Sequence, residues 1–336
     1  MIESGSDRRS GTKAGGPGNV LVTSAARKIP LLQRVKQAAA RINPEIQLVA
    51  GDSDDGALAR YFCDVFWHMP KLKDLTAASL IRACREYGVT SIIPTRDGEL
   101  AYFAHNRDAL ARAGIAVMVS QADAIDLCLD KVAFSSFCGG KDLPAVPTYA
   151  MPSEEVSFSW VVKERHGSGS RGIGIGLPPD EAVAHARKLD APVFQPFIPH
   201  VMEVSIDAYV DHGATPRGCV IRSRDVVENG ESQITTTQDM PELLRICQAF
   251  LSTLPLYGHV VIQALVEDLD GKARLLECNP RFGGASSLSV EAGLDSFYWF
   301  LLEAAGADLS RYPCRYDPKR RLRLVRHVTD LIIPID

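Results

Sequence analysis

The sequence predicts an α/β unit built on a parallel sheet, followed by an α+β unit whose sheet is largely antiparallel. Three observations predict it. Before residue 121, short apolar runs alternate with amphipathic stretches at close intervals, the pattern of parallel strands joined by crossover helices. Beyond residue 200, long runs alternate apolar and polar residues at period two, as half-buried antiparallel strands do. The chain has 336 residues, 46% hydrophobic and 23% charged, an ordinary balance for a soluble protein with two or three compact units.

Element by element, Asn19 to Ser24 reads as a buried strand, and Leu31 to Ile42 carries helical spacing. Ile46 to Ala50 is a second strand, ending at Gly51-Asp52-Ser53-Asp54. Leu75 to Tyr87 is an amphipathic helix, Ser91 to Pro94 a strand, Leu100 to Ala113 a helix and Ala116 to Val119 a fourth strand. Function in such sheets collects at the carboxyl ends of strands, which here carry Thr23-Ser24, Asp52 and Asp97 to Glu99. Further on, Asp126 to Phe137 reads as one helix. Trp160 to Lys163 and Val193 to Phe197 are short strands. Glu203 to Val210, Gly218 to Arg222, Val260 to Val266 and Ala273 to Cys278 are strands of the antiparallel kind, and Leu243 to Leu254 is a helix. Arg320 to Arg323 reads as a strand with one charged face.

Several classes are disfavoured by composition. A net charge of −4 gives no global basic field for nucleic acid or an anionic membrane. The eight cysteines form no CxxC pair and sit in apolar segments, which suits reduced thiols of a cytoplasmic protein better than disulfides or zinc. No apolar run reaches membrane-spanning length. The first 18 residues lack the apolar core of a signal peptide and read as a disordered tail or tag.

The segment Glu277-Cys278-Asn279-Pro280-Arg281 carries the most chemistry. Alternate side chains of a strand share a face, so Glu277 and Asn279 point the same way, where their oxygens suit Mg²⁺. Arg281, just past the strand, suits phosphate oxygens. Gln263 is the polar residue in an otherwise apolar strand and must be satisfied by hydrogen bonds or a ligand. On a neighbouring antiparallel strand it would stand about 5 Å from Glu277. Lys163 ends an apolar strand that runs into His166-Gly167-Ser168-Gly169-Ser170-Arg171-Gly172, a loop small enough for backbone N–H groups to approach phosphates. The lysine precedes the glycines, so this is not the GxxxxGK[ST] loop. Glu203 fits either a solvated strand face or ribose hydroxyls. Arg222 and Arg224 are either solvated or an inward clamp for an anion. The histidines show no ligand spacing, and no Gly-x-Ser-x-Gly or Cys/His pair suggests a nucleophile.

Taken together these residues resemble the ATP-grasp superfamily, in particular the branch similar to one half of the carbamoyl-phosphate synthase large subunit. The resemblance covers most of the chain, and the order of its motifs is more specific than any one of them. After the tail of 1–18, it implies a Rossmann-like pre-ATP-grasp domain over 19–121. A two-subdomain ATP-grasp domain follows over 122–310, with its lid at about 150–195, and then a C-terminal strand segment over 311–336. Thr23 to Lys28 and Pro94 to Leu100 look like parts of the first domain. Lys131 looks like the basic position that opens the grasp domain. Lys163 with Gly167, Ser168, Gly169, Ser170, Arg171 and Gly172 look like the phosphate grip. Gln195, Pro196, Phe197 and Ile198, then Glu203, look like the holder of adenine and ribose. Gln263, Glu277 and Asn279 look like the metal ligands, and Arg281 looks like the γ-phosphate contact, in catalysis with Lys163 and Arg224. Asp97, Glu99, Arg222, Arg224 and Ser286 are candidates for the substrate side.

The resemblance also implies ATP with Mg²⁺, or Mn²⁺ in its place, small-molecule acid and amine substrates, and a homodimer. It carries two departures. Gln263 is neutral where many members have a carboxylate, though the named branch tolerates glutamine, and Ala25-Ala26-Arg27 stands where that branch often has glycine. The implied reaction is phosphorylation of a carboxylate to an acyl phosphate, displaced by an amine or ammonia. A kinase acting on a hydroxyl and a non-catalytic nucleotide-binding regulator remain open alternatives.

Overall fold

The computed structural model describes residues 17–152, 159–167 and 169–334. Strand β1 (Asn19–Thr23) leads into helix α1 (Ile29–Ile42), β2 (Leu48–Asp52), β3 (Val65–His68), α2 (Ala77–Glu86), β4 (Val89–Ile93), α3 (Asp97–Arg112) and β5 (Ala116–Val117). The five strands form one sheet in the order β3-β2-β1-β4-β5, and every pairing is parallel. Val20, Leu21 and Val22 are all fully buried, as expected for a central parallel strand covered on both faces. The chain winds outward from β1 in one direction and then returns to add β4 and β5 in the other. The crevice beyond the carboxyl ends of β1 and β4 is therefore a topological switch point.

The sheet has one strand more than the sequence predicts. β3 is four residues long and half-exposed at an edge, so it shows neither a buried run nor a clean alternation. The single helix expected over Asp126 to Phe137 is in fact two, α4 (Ala122–Leu129) and α5 (Lys131–Gly139). Asp130 is extended between them, and its carboxylate accepts hydrogen bonds from Val132 N at 2.9 Å and Ala133 N at 3.1 Å. It caps α5 and makes Lys131 the first residue of that helix.

A small antiparallel sheet follows, in the order β7-β6-β8, from β6 (Trp160–Glu164), β7 (Gly174–Leu177) and β8 (Pro192–Pro196), with α6 (Pro179–Ala186) packed on it. Trp160, Val162, Ala182, Ala186 and Phe194 form its own small core. The larger sheet is antiparallel throughout, in the order β13-β12-β9-β10-β11-β14. Its strands are β9 (Val201–Val210), β10 (Pro216–Glu228), β11 (Glu231–Gln238), β12 (Gly258–Glu267), β13 (Ala273–Asn279) and β14 (Arg323–Val325), with helices α7 (Pro241–Leu251), α8 (Ser286–Glu291) and α9 (Ser296–Ala304) around them.

One face of the large sheet is apolar. Val204, Ile206, Ala208, Ile221, Val260, Ile262 and Ala264 pack against Phe134 of α5 and Leu243, Cys247 and Phe250 of α7. Burying each of these larger side chains stabilises the fold by about 1.5–3 kcal/mol. The alternate positions, Glu203, Ser205, Asp207, Arg222, Arg224 and Gln263, occupy the other face by parity. Helix α9 is apolar almost all round and shows no two-faced period. It is buried against α1 and shares a core with β1 and β2, so it ties the large sheet to the parallel one.

Candidate functional site

The register of the large sheet puts a row of polar residues on one rung. Glu277 of β13 stands opposite Gln263 of β12, Gln263 opposite Ser205 of β9, and Ser205 opposite Arg222 of β10. One step along β13 and β9 on the same face come Asn279 and Asp207, both opposite Val261. Two cavities lie over this row, one towards each end.

The larger cavity, about 790 Å³, lies between the small sheet and the large one. Lys163 enters from β6, Gly167, Gly169, Ser170 and Arg171 from the loop after it, and Gln195, Pro196, Phe197 and Ile198 from the end of β8. Lys131, Glu203, Gln263 and Glu277 complete the polar wall, with Leu265 and Leu276 beneath. Gly172 is outside the lining. It turns the loop at φ +67°, where a Cβ would stand 3.0 Å from Leu189. Ser168 lies outside the described residues. Gln195 is buried, and its amide nitrogen donates to Thr148 Oγ1 at 2.8 Å, so that side chain is committed to the core.

Charge in this cavity is finely balanced. Burial pushes the Lys163 ammonium down to about 8; Glu277 opposes that effect, neighbouring Lys131 adds to it, and Glu203 opposes it. Lys131 Nζ donates to Gly167 O at 2.9 Å and stands 3.9 Å from Glu277 Oε2. Glu203 Oε1 lies 2.9 Å from Arg224 Nε, an ion pair without hydrogen-bond alignment. Asn279 Nδ2 donates to Glu277 Oε1 at 3.1 Å. Glu277, Gln263 and Asn279 thus offer one carboxylate and two amide oxygens. That donor set fits a hard cation whose remaining positions are filled by phosphate oxygens and water. Among the described residues no cluster of three His, Cys, Asp or Glu could hold a metal alone.

The smaller cavity, about 200 Å³, continues from the first and shares Gly169, Arg224, Gly230, Gln263 and Glu277 with it. Lys28, Thr95 and Asp97 reach it from the switch point of the parallel sheet, and Arg281, Gly283 and Gly284 from the turn after β13. The β10–β11 hairpin supplies Asn229 and Gly230, with φ of +51° and +76°, an Asn-Gly turn of the type that favours tight hairpins. A Cβ on Gly230 would stand 2.7 Å from the Gly169 backbone, so the hairpin tip and the glycine-rich loop meet where the cavities join.

Three residues expected on the substrate side are engaged within the protein. Arg281 holds Asp97 in a two-pronged ion pair, Nε to Oδ1 and Nη2 to Oδ2, both 2.6 Å. Both carboxylate oxygens of Asp97 are thereby engaged with Arg281, in the lining of the small cavity. Glu99 is fully buried outside both linings: it accepts from Thr95 N at 2.5 Å, Arg96 N at 3.0 Å and Ser24 Oγ at 2.8 Å. It is the capping carboxylate at the start of α3, pushed up by burial. Ser286 is buried too. Its hydroxyl donates to Asp207 and accepts from Gly283 N at 2.9 Å.

Behind the cavity lies a network that the sequence did not disclose. Asp207, fully buried, accepts from Arg222 Nε and Ser289 Oγ, both at 2.7 Å, and pairs with His259 Nε2 at 3.0 Å. His259 Nδ1 meets Ser296 Oγ at 2.9 Å, and its ring stacks on Phe282. Burial would raise the Asp207 carboxyl, but Arg222, then His259 and Ser286, outweigh it and hold the group well below the usual carboxylate range. Parity was the available signal: Asp207 shares a face with Ser205 and Glu203 and neighbours the strand of Arg222. Arg222 and Arg224 both point inward and line the small cavity.

A family model described as PylC-like, N-terminal domain, matches residues 20–118, and one described as ATP-grasp in the biosynthetic pathway with Ter operon matches residues 192–328. No curated protein matches the sequence. Among solved structures, the biotin carboxylase domain of Hydrogenobacter thermophilus 2-oxoglutarate carboxylase, in complex with MgADP, ADP and bicarbonate, superposes with a TM-score of 0.71 at 18% identity, over 88% of this chain and 71% of that one. N5-carboxyaminoimidazole synthetase from Staphylococcus aureus, complexed with ADP, gives 0.69 at 15% identity, over 89% and 79%. Rhizobium etli pyruvate carboxylase gives 0.66 at 20%, over 87% of this chain but only 29% of that much longer one. At these identities the structural likeness is one of fold. The two family matches give an ATP-grasp region over residues 192–328 and a PylC-like N-terminal domain over residues 20–118, and the structural likeness agrees with them in fold.

Proposed function

We propose that the protein is an ATP-dependent carboxylate–amine ligase. The observation that carries this reading is the junction of the two cavities. They share Gln263 and Glu277, and Arg281 reaches the smaller one from the same strand end. A nucleotide lying in the larger cavity would present its terminal phosphate to an acid held in the smaller. The bound MgADP and bicarbonate of the Hydrogenobacter domain, and the ADP of the Staphylococcus synthetase, support that assignment of the cavities. The description of the former as a dimer supports a homodimer here, readable by light scattering.

On this reading Lys163 and Lys131 neutralise phosphate oxygens, and the amides of Gly167, Gly169, Ser170 and Arg171 face them. Glu277, Asn279 and Gln263 would hold Mg²⁺, which would supply Lewis-acid charge to the phosphoryl transfer. A carboxylate oxygen of the acid attacks the γ-phosphorus, the bond to the β-bridging oxygen breaks, and ADP leaves. The amine nitrogen then attacks the acyl carbon, the acyl C–O bond breaks with its electron pair going to the departing phosphate, and the nitrogen gives up one proton to that phosphate. Arg281, steadied by Asp97, carries charge at the transferring group. The work is positioning and neutralisation, with water kept out.

The test is ADP release across a panel of carboxylic acids with hydroxylamine as the amine. Hydroxamate should accumulate with ADP, and Glu277→Ala should cut both by about 10²-fold or more. Unchanged turnover in that variant, or ADP formed with a phosphorylated hydroxyl and no hydroxamate, would sink the ligase reading.

A further inference from the structure

The small cavity has an excess of buried donors that nothing in the protein satisfies. Six buried side-chain polar atoms among the described residues lack a hydrogen-bond partner, and four belong to residues lining this one cavity: Ser205 Oγ, Arg222 Nη1 and Ser232 Oγ, together with Arg224 Nε, which has the Glu203 carboxylate 2.9 Å away but out of line. Ser205, Arg222 and Ser232 are all at least nine-tenths buried. An unmade hydrogen bond at a buried donor is costly, and the cost is greatest for a charged one. Arg222 is held from behind by Asp207 at Nε, which fixes the guanidinium and leaves the Nη1 edge unpaired. Its other terminal nitrogen, Nη2, would lie 3.6 Å from a Cβ on Gly283, so the guanidinium stands beside the turn that follows Arg281.

The charges agree. Arg281 is matched by Asp97, Arg222 by Asp207, Arg224 by Glu203, and Glu231 by Arg326. Lys28 and Arg96 also line the cavity, against the Glu277 carboxylate. What completes the cavity is an anion rich in acceptor oxygens.

We infer that the acid accepted here carries a second oxyanion besides the carboxylate that is activated, and that Ser205, Arg222, Arg224 and Ser232 form its seat. Which end is activated rests on the ligase reading; the seat itself does not. A cavity of about 200 Å³ admits a small acid of amino-acid size, roughly the volume of six or seven liquid waters. Carboxylate and phosphate groups share the acceptor chemistry that the seat demands.

The probes are butyrate, succinate and 3-phosphonopropionate, which differ only in the terminal group. Their binding to the full chain is measured by calorimetry, with and without Ser205→Ala plus Ser232→Ala. One or both dianions should bind at least about tenfold tighter than butyrate, and the double variant should lose about tenfold of that advantage. The tighter of the two shows whether the seat is built for carboxylate or phosphate. ATP binding by the double variant, measured in parallel, shows that it is folded. Equal binding of all three probes, or an advantage that survives in the double variant, overturns the inference. A dianion preference in a protein that binds no ATP leaves the seat standing and removes the ligase reading.

Discussion

Lys163 shows how one residue sets a measurable property of the site. It is set into the wall of the larger cavity, where burial pushes its ammonium down to about 8. The charged form is the one that attracts phosphate, so affinity for ATP should be full below that value and fall as pH rises through it. Measured without magnesium, ATP affinity should weaken by up to about tenfold per pH unit above 8. Lys163→Arg, which stays protonated, should flatten the profile; the same slope in both proteins would place the titration elsewhere. Single residues were legible in the sequence where parity or strand ends gave them away. Glu277, Asn279 and Gln263 share a face because strands alternate. Glu99 and Ser286 were not legible, because sequence places a polar group near a site without showing which hydrogen bonds already consume it.

Among the elements, the break between α4 and α5 has the clearest consequence. Asp130 caps α5 and also binds the Arg165 guanidinium through both carboxylate oxygens, tying the start of that helix to the strand that carries Lys163. Asp130→Ala should lower the unfolding free energy by about 1 kcal/mol for the lost cap. It should also weaken ATP binding by loosening Lys131 against Gly167. Asp130→Asn, which keeps a capping oxygen, should recover the stability measured by urea unfolding and only part of the binding. Periodicity reads through this break because both helices are apolar on the same side, facing β13. The same blindness explains α9, whose all-round burial erases the period, and β3, whose four edge residues give too short a run. Strand β11 had a signal that went unused, the Asn229-Gly230 pair that turns its hairpin.

For the whole molecule, the ion pair between Asp97 and Arg281 bridges 184 residues of sequence and joins the switch point of the parallel sheet to the end of β13. The PylC-like domain therefore contributes to the site by orienting an arginine that belongs to the grasp fold. Asp97→Ala should lower kcat by roughly 10- to 100-fold through misplacement of Arg281, while the ATP dissociation constant stays near the wild-type value. Equal loss of ATP binding would show that the pair merely holds the fold together. The overall architecture was legible because strand–helix alternation and period-two alternation are written in composition along the chain. The packing of one unit on the other was not, since it depends on α9 and on ion pairs between distant residues.

The rung from Glu277 to Arg222 also acts as a ruler. It crosses β13, β12, β9 and β10, and backbone hydrogen bonds hold neighbouring strands about 4.8 Å apart. The Glu277 and Arg222 backbones are therefore separated by roughly 14 Å of scaffold that cannot stretch, with Gln263 and Ser205 at the fixed marks between them. Evolution can retune the length of acid accepted only by changing how far side chains reach inward from fixed marks.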